Sequence, residues 1–473
     1  EEGSLTKYTY DERHNLTSET TTKKEIQVDE IEYKNEYDDA GNILSTKASN
    51  VSAPGISINN SSTYDEKKNY LTSTTDPSGN ITQYNYDPIK GILNYIIDPK
   101  GNKTIYEYDS QDRLKIARSE QKPGAENQYG YTGDDLTSIR HNGFDYIFGY
   151  DKLGNLTQIT GAGISLISNA YETRLGLLTN STYGNGQSIT YQYDAGNRLQ
   201  YERTGEQLRF GYAYDAKGNM AQVGDIKTDL YTKYVYDYTG KLTNFYTNTG
   251  WDTYFNYDDV GNITRKAENF NSKQYITQYQ YGDSNRLEKV LFGSNSSVSY
   301  SYIEPGHPDY EGIAFSLGRL NSTSIEANGV SVFDTVISYE DGPVEGSTTN
   351  RIKRITNEDD SIDYSYDKNG NIKTTTQGSI VITYDYDSLN QLDYEVFEEI
   401  DSQTGTKRTT KTIDYIYDDG GNILSKTVTT FDAQGQQQIE TISYTYDSVW
   451  KDKLTSYNGK SITTDSIGNP LSY

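Results

Sequence analysis

The stretch Tyr212-Ala213-Tyr214-Asp215-Ala216-Lys217-Gly218-Asn219-Met220 decides the fold. Large residues alternate with small or polar ones up to Tyr214, which is strand periodicity. Asp at the start of a turn accepts hydrogen bonds from the backbone N–H groups just ahead, and Gly three residues on supplies a positive φ. Asn tolerates the left-handed region as well, and the aliphatic residue restarts a strand. The segment therefore reads as the tip of a β-hairpin. The same tip stands at Tyr364-Ser365-Tyr366-Asp367-Lys368-Asn369-Gly370-Asn371-Ile372 and at Tyr415-Ile416-Tyr417-Asp418-Asp419-Gly420-Gly421-Asn422-Ile423. Shorter forms run from Tyr106-Glu107-Tyr108-Asp109 to Leu114 and from Tyr191-Gln192-Tyr193-Asp194 to Leu199.

The hairpins are periodic. Asp76, Asp87, Asp98 and Asp109 stand 11 residues apart. Two forms of turn alternate there: Asp76-Pro77-Ser78-Gly79-Asn80 and Asp98-Pro99-Lys100-Gly101-Asn102 against Tyr86-Asp87 and Tyr108-Asp109. The full unit is about 22 residues, with two strands and two turns. Further on, Tyr193, Tyr214, Tyr236, Tyr257 and Tyr281 keep spacings of 21, 22, 21 and 24. A chain built by repetition is an array in which each unit is completed by its neighbours. Its 473 residues would suit roughly three ordinary domains, but the repeat predicts one continuous all-β architecture over residues 1–473.

Composition narrows the object further. Hydrophobic residues make up only 33% of the chain, and there are 47 Tyr against 11 Phe and 2 Trp. That excludes a thick aliphatic core, while the periodic aromatics exclude disorder. Tyr buries its ring and keeps its hydroxyl wet or hydrogen-bonded, which suits a thin wall with water near both faces. A net charge of -25 leaves no basic footprint for nucleic acid, and it disfavours anionic membranes. The basic cluster from Arg351 to Arg354 reads as a solvated strand or turn. Cys is absent, so disulfides and thiolate metal sites are excluded. No apolar segment reads as a leader or a membrane span. The chain starts Glu1-Glu2-Gly3 and stops within the repeat register, which reads as a chain with its leader removed or, in keeping with a repeat cut off at both ends, as an excised piece.

Three regions depart from the pattern. Residues 283–362 carry loosely recognisable strands such as Val298-Ser299-Tyr300-Ser301-Tyr302, and include Glu304-Pro305-Gly306-His307-Pro308. Residues 222–230 and 398–412 read as lengthened hairpins. With no helical periodicity anywhere, these are expected to be irregular repeats or long loops on the array rather than a separate domain.

Tyr-Asp-x-x-Gly-Asn-Leu at this period resembles the YD repeat of Rhs and wall-associated bacterial proteins, toxin-complex components and teneurins. The resemblance covers nearly the whole chain. Leu136-Thr-Ser-Ile-Arg-His141-Asn-Gly143-Phe-Asp-Tyr146 and Thr182-Tyr183-Gly-Asn-Gly186-Gln are similar to the Gram-positive extracellular branch. The resemblance implies a long antiparallel ribbon wound in a spiral as part of a hollow shell or barrel. In polymorphic-toxin members that shell encloses a C-terminal toxin. Rhs-type shells typically end in an Asp-Pro-x-Gly-Leu-like self-cleavage motif. Here Asp76-Pro77 and Asp98-Pro99 continue as Gly-Asn, and the chain stops at Asp465-Ser-Ile-Gly468-Asn469-Pro470-Leu-Ser-Tyr473, so no position inherits a protease role.

The residues that could carry chemistry have structural readings. His14 falls where Gly sits in the repeat turn, and His141 and His307 lie in turn-like surroundings; without Cys or a second His nearby they make no zinc set. Asp38-Asp39, Asp134-Asp135, Asp258-Asp259 and Asp418-Asp419 invite calcium, but they fall in the repeat turn, where the first Asp serves the backbone. Gly161-Ala-Gly163 and Gly184-Asn-Gly186 lack the helix of a phosphate site. No carboxylate pair stands out for hydrolysis. The sequence thus predicts no catalytic, cofactor or metal residues, and a non-enzymatic, extracellular or wall-associated shell around a C-terminal toxin or cargo. The alternative is an adhesion module whose exposed Tyr strands bind glycans. A ribbon cut short also exposes edge strands that invite pairing between chains.

Overall fold

The computed structural model describes residues 5–22, 31–51, 53–282, 285–302 and 317–471. They form one antiparallel sheet of 39 strands, from Leu5–Tyr10 to Lys460–Ser461. Every strand is paired with the one before it and the one after it in sequence. The expected all-β ribbon is therefore a pure meander.

Because strands alternate in direction, successive turns fall on opposite edges of the ribbon. The two turn forms seen in the sequence sort accordingly. Tyr-Asp turns such as Asp38–Asn42, Asp215–Asn219 and Asp418–Asn422 lie on one edge, here called the Tyr-Asp edge. The Asp-Pro turns at Asp76 and Asp98, and shorter turns such as Asn142-Gly143 and Asn328-Gly329, lie on the opposite edge.

In the Tyr-Asp turn, Gly218 N–H donates to the Asp215 carbonyl at 3.1 Å and Asp215 N–H to the Asn219 carbonyl at 2.9 Å. Gly218 has φ +93°, a conformation open to Gly at little cost. Tyr214 then pairs with Met220, and the register slips by one between Ala213 and Tyr214. The same slip accompanies Tyr37–Ile43, Tyr150–Leu156, Tyr257–Ile263 and Tyr417–Ile423. A one-residue bulge beside a positive-φ turn is the three-residue hairpin loop with its extra twist. Repeated at each Tyr-Asp turn, it bends the ribbon in a consistent sense.

The core is thin. Among the described residues the buried hydrophobic side chains are Ile58, Phe144, Ala267, Val290, Leu317, Val381, Ile413 and Trp450. Ile58 and Leu317 pack together although far apart in sequence. The strands within 283–362 continue the meander through Ser296–Ser301, Ser322–Ala327, Val330–Asp341 and Thr348–Asn357. Glu304 to Pro308, with His307, lie outside the described residues. The hairpin at 398–412 is long, with strands Leu392–Ile400 and Lys407–Tyr417. That at 222–230 is lengthened only at its turn, the strands being Met220–Asp225 and Leu230–Tyr236.

Candidate functional site

Most repeats are clipped to the next by a tyrosine hydroxyl. Tyr214 Oη donates to the Leu199 carbonyl at 2.9 Å, and Tyr236 Oη to the Met220 carbonyl at 3.0 Å. The contact recurs as Tyr37–Leu16, Tyr108–Leu93, Tyr193–Leu178, Tyr257–Leu242, Tyr366–Ile352, Tyr417–Leu392 and Tyr446–Ile423. The accepting carbonyl lies beyond the end of the ladder between units: the pairing of Met220–Asp225 with its next strand begins only at Gln222. The clip thus satisfies a carbonyl that the bulged hairpin leaves over. Burial pushes the phenols of Tyr108, Tyr193, Tyr236, Tyr257, Tyr366 and Tyr446 up from their ordinary range, so they stay protonated donors.

The turn Asp uses both oxygens. Asp215 Oδ1 accepts from the N–H groups of Lys217 and Asn219, and Oδ2 accepts the Asn219 side-chain amide, all at 2.9 Å. Where Arg or Lys replaces that Asn, the cation does a second job. Arg198 Nε donates to Asp194 Oδ2 at 2.8 Å, and its guanidinium lies 4.6 Å from the ring centroid of Tyr214 in the next unit. Arg113 does the same with Asp109 and Tyr131. The basic residue before the restarting Leu was the sequence signal for this stacking.

A second set of contacts joins residues some 270 to 310 positions apart. Asn369 Nδ2 donates to Asp98 Oδ2 at 2.6 Å, and Lys100 Nζ lies 3.4 Å from Asp367 Oδ2. Arg351 Nη2 donates to Asp76 Oδ2 at 3.0 Å. Asn142 Nδ2 donates to Asp418 Oδ2 at 3.0 Å, Asn185 Nδ2 to Asp465 Oδ2 at 2.9 Å, and Ser466 Oγ to the Gly184 carbonyl at 2.6 Å. Ser57 N–H reaches the Gly346 carbonyl at 3.1 Å, and Trp450 Nε1 donates to Tyr146 Oη at 3.4 Å. In every case the opposite edge of the early ribbon meets the Tyr-Asp edge of the late ribbon. The ribbon is therefore a spiral whose second winding stands on its first. Turn carboxylates receive most of the side-chain contacts along this seam. The Asn185 amide, then the Asn469 amide, hold the Asp465 carboxyl down to about 2.

The singled-out residues fall into these same parts. His14 takes the Gly position with φ 68°. His141 ends the strand Asp135–His141, its Nδ1 2.8 Å from Asn127 Oδ1 and its Nε2 3.8 Å from Asp452 Oδ2 across the seam. It is half-buried at the seam rather than a free surface residue. Asp38, Asp258 and Asp418 cap their turns as expected. Asp134-Asp135 differs: Asp134 sits with Gly133 in a two-residue turn closed by Thr132 and Asp135. Arg354 is paired with Asp363 and Lys353 with Asp341 on the strand Thr348–Asn357, so the basic cluster is neutralised in place. Ala162-Gly163 is a two-residue hairpin turn with φ 51° and 79°. Among the described residues, no group of three or more His, Asp or Glu is placed to hold a metal ion.

Comparison with known proteins agrees with this geometry. Residues 173–207, which include the Tyr193-Asp194 turn, match the family model described as RHS Repeat. No curated protein matches the chain. Among solved structures, TcdB2-TccC3 without its hypervariable C-terminal region is similar over 94% of this chain and 26% of that chain, with a TM-score of 0.57 and 13% identity. The Photorhabdus luminescens Tc holotoxin pore is similar over 99% of this chain and 27% of that one, with a TM-score of 0.51 and 14% identity. The chain thus spans about a quarter of the length of the structures it matches. At such identity the likeness is one of fold.

Proposed function

We propose that this chain is a portion of the wall of a non-enzymatic, extracellular Rhs-like shell of the Gram-positive branch, enclosing and protecting a C-terminal toxin or other cargo. The observation that carries the reading is the seam. A ribbon that stands on its own previous winding makes a closed wall, and Tyr clips stiffen that wall without a thick core. The likeness to TcdB2-TccC3 without its hypervariable C-terminal region supports it, as the same ribbon occurs there in a protein with a separate, variable C-terminal part. The test is limited proteolysis of the native gene product extended to its natural C-terminus. A C-terminal fragment that resists protease until the wall is denatured supports the reading. A C-terminal segment digested while the wall is intact overturns it. Tyr238, at 88% exposed on a Tyr-Asp turn, favours the rival glycan-binding role, which a saturable titration with purified wall glycans would establish.

A further inference from the structure

The Asn donors of the seam share a chemical weakness. The dipeptide Asn-Gly occurs five times in the chain, at Asn142, Asn185, Asn328, Asn369 and Asn458. Three of the five are the residues that reach across the seam. Asn142 donates to Asp418 Oδ2 and, at 3.3 Å, to Asp452 Oδ1; Asn185 donates to Asp465 Oδ2 and Asn369 to Asp98 Oδ2. Asn142 is buried and Asn185 and Asn369 are half-buried, while Asn328 and Asn458 stand exposed at their turn tips. Asn is thermolabile, and most so before Gly, which has no side chain to keep its backbone nitrogen from the preceding amide. That nitrogen, on losing its proton, bonds to the Asn Cγ; the Cγ–Nδ2 bond breaks and ammonia leaves. Water then opens the resulting succinimide to Asp or isoaspartate. An amide donor has become a carboxylate.

We propose that Asn142, Asn185 and Asn369 are deamidation sites gated by the seam, which makes the closure of the second winding on the first a latch that releases only once. While the seam is closed, the opposing carboxylate pins each side-chain amide, which must swing onto the Gly nitrogen to cyclise. At two of the sites that nitrogen is engaged as well. Gly186 N–H donates to the Tyr183 carbonyl at 2.9 Å, and Gly370 N–H to the Asp367 carbonyl at 3.1 Å. When the seam opens, the amide is freed, and its reaction puts a new carboxylate opposite Asp418, Asp465 or Asp98. Two carboxylates at hydrogen-bond distance repel, and at neutral pH neither brings a proton to share. The two edges then do not close again. This is a charge switch built from the wall's own residues, and it holds whatever the wall encloses.

The experiment is incubation of the intact chain at mildly alkaline pH in water enriched in heavy oxygen, with the five sites followed by peptide mapping and mass spectrometry. In the folded protein Asn142, Asn185 and Asn369 are expected to lag behind Asn328 and Asn458 by about tenfold or more, the factor that each ~1.4 kcal/mol of opening free energy supplies. In denaturant the five are expected to react alike. A second measurement compares a variant carrying Asn142→Asp, Asn185→Asp and Asn369→Asp with a control carrying Asn328→Asp and Asn458→Asp. Asn328 and Asn458 share the positive φ of Asn142, so the control covers the cost of Asp in that conformation. The triple variant is expected to melt lower and to be cut by protease at the seam turns, while the control melts with the parent. Seam sites that deamidate in the folded chain as fast as Asn328 and Asn458 overturn the proposal. So does a lag that persists in denaturant, or a triple variant that melts with the parent.

Discussion

Asn185 and Asp465 are 280 residues apart in sequence, yet the Asn185 amide donates to Asp465 Oδ2 at 2.9 Å. Asp465 Oδ1 meanwhile accepts from the N–H groups of Ile467 and Asn469. One carboxylate therefore closes its own turn and ties the second winding to the first. The donors hold its carboxyl down to about 2, against an ordinary value of about 3.9. With the folded value below the unfolded one, its contribution is full above the ordinary range and disappears as pH falls through about 2. Asn185→Ala removes the donor that lowers this carboxyl most. The Asp465 carboxyl should then titrate closer to the ordinary range, as read by carboxyl NMR shifts. An unchanged titration would contradict the contact.

The turn carboxylates of Asp11, Asp151 and Asp215 are likewise held below the ordinary range, chiefly by the side-chain amides of Asn15, Asn155 and Asn219. By the same sign, the melting temperature should fall progressively as pH drops from about 4 toward 2. Glu340, whose carboxyl burial pushes up, acts oppositely: its contribution favours the fold below the ordinary range and is lost as pH rises through its raised value. Asp393, whose carboxyl is pushed up by burial and then by the neighbouring Asp387 carboxylate, acts the same way; being two groups, they blunt the acid loss only slightly. A flat melting temperature over that interval would rule out the turn assignment.

Tyr193→Phe deletes a hydroxyl and leaves the Leu178 carbonyl without its donor. The ring stays, so packing is retained. Leaving a partly buried acceptor unpaired costs about 1–2 kcal/mol, measurable as a lower denaturation midpoint. Tyr238→Phe, at an exposed turn tip, should change stability by no more than a few tenths of a kcal/mol. Equal effects at both sites would count against the clip.

Gly218 has φ +93°, and a Cβ added there meets nothing within 4 Å. The cost of Gly218→Val is therefore backbone strain alone, about 1–2 kcal/mol for a β-branched residue in this region. Gly101, also at φ +93° with open space around it, should behave alike. If both variants melt with the parent, the hairpin turns are misassigned.

Thr253 is fully buried and its Oγ1 has no partner. It sits on the strand Asp252–Tyr257, directly opposite Phe245 on the preceding strand. Thr253→Val keeps the shape and removes the unpaired hydroxyl, so it should stabilise the protein by about 1 kcal/mol. A destabilised variant would show that the hydroxyl has a partner in solution.

The hairpin tips were legible because their cause is local. Asp215, Gly218 and Met220 lie within one turn, and positive φ and side-chain capping act over a few residues. The alternation of two turn forms was legible too, although not that it sorts them onto two edges. The destination of the Tyr214 hydroxyl was hidden, since its acceptor at Leu199 belongs to the preceding unit and any residue there offers a carbonyl. The seam was wholly illegible. Asn142 and Asn185 look like ordinary turn residues, and the offset to their partners drifts along the chain. Nothing in the local chemistry of Asp418 or Asp465 distinguishes a carboxylate that also accepts from another winding.

The central claim is that the second winding stands on the first, and the absence of native Cys allows a clean test. Asn185 and Ser466 face each other across the seam through the Asn185–Asp465 and Ser466–Gly184 contacts. With Asn185→Cys and Ser466→Cys introduced together, mild oxidation of the dilute protein should give a monomer that migrates faster on a non-reducing denaturing gel, as a loop of about 280 residues is closed. Each single-Cys variant should show no such band. Formation of disulfide-linked dimers only, or no disulfide at all, would contradict the spiral.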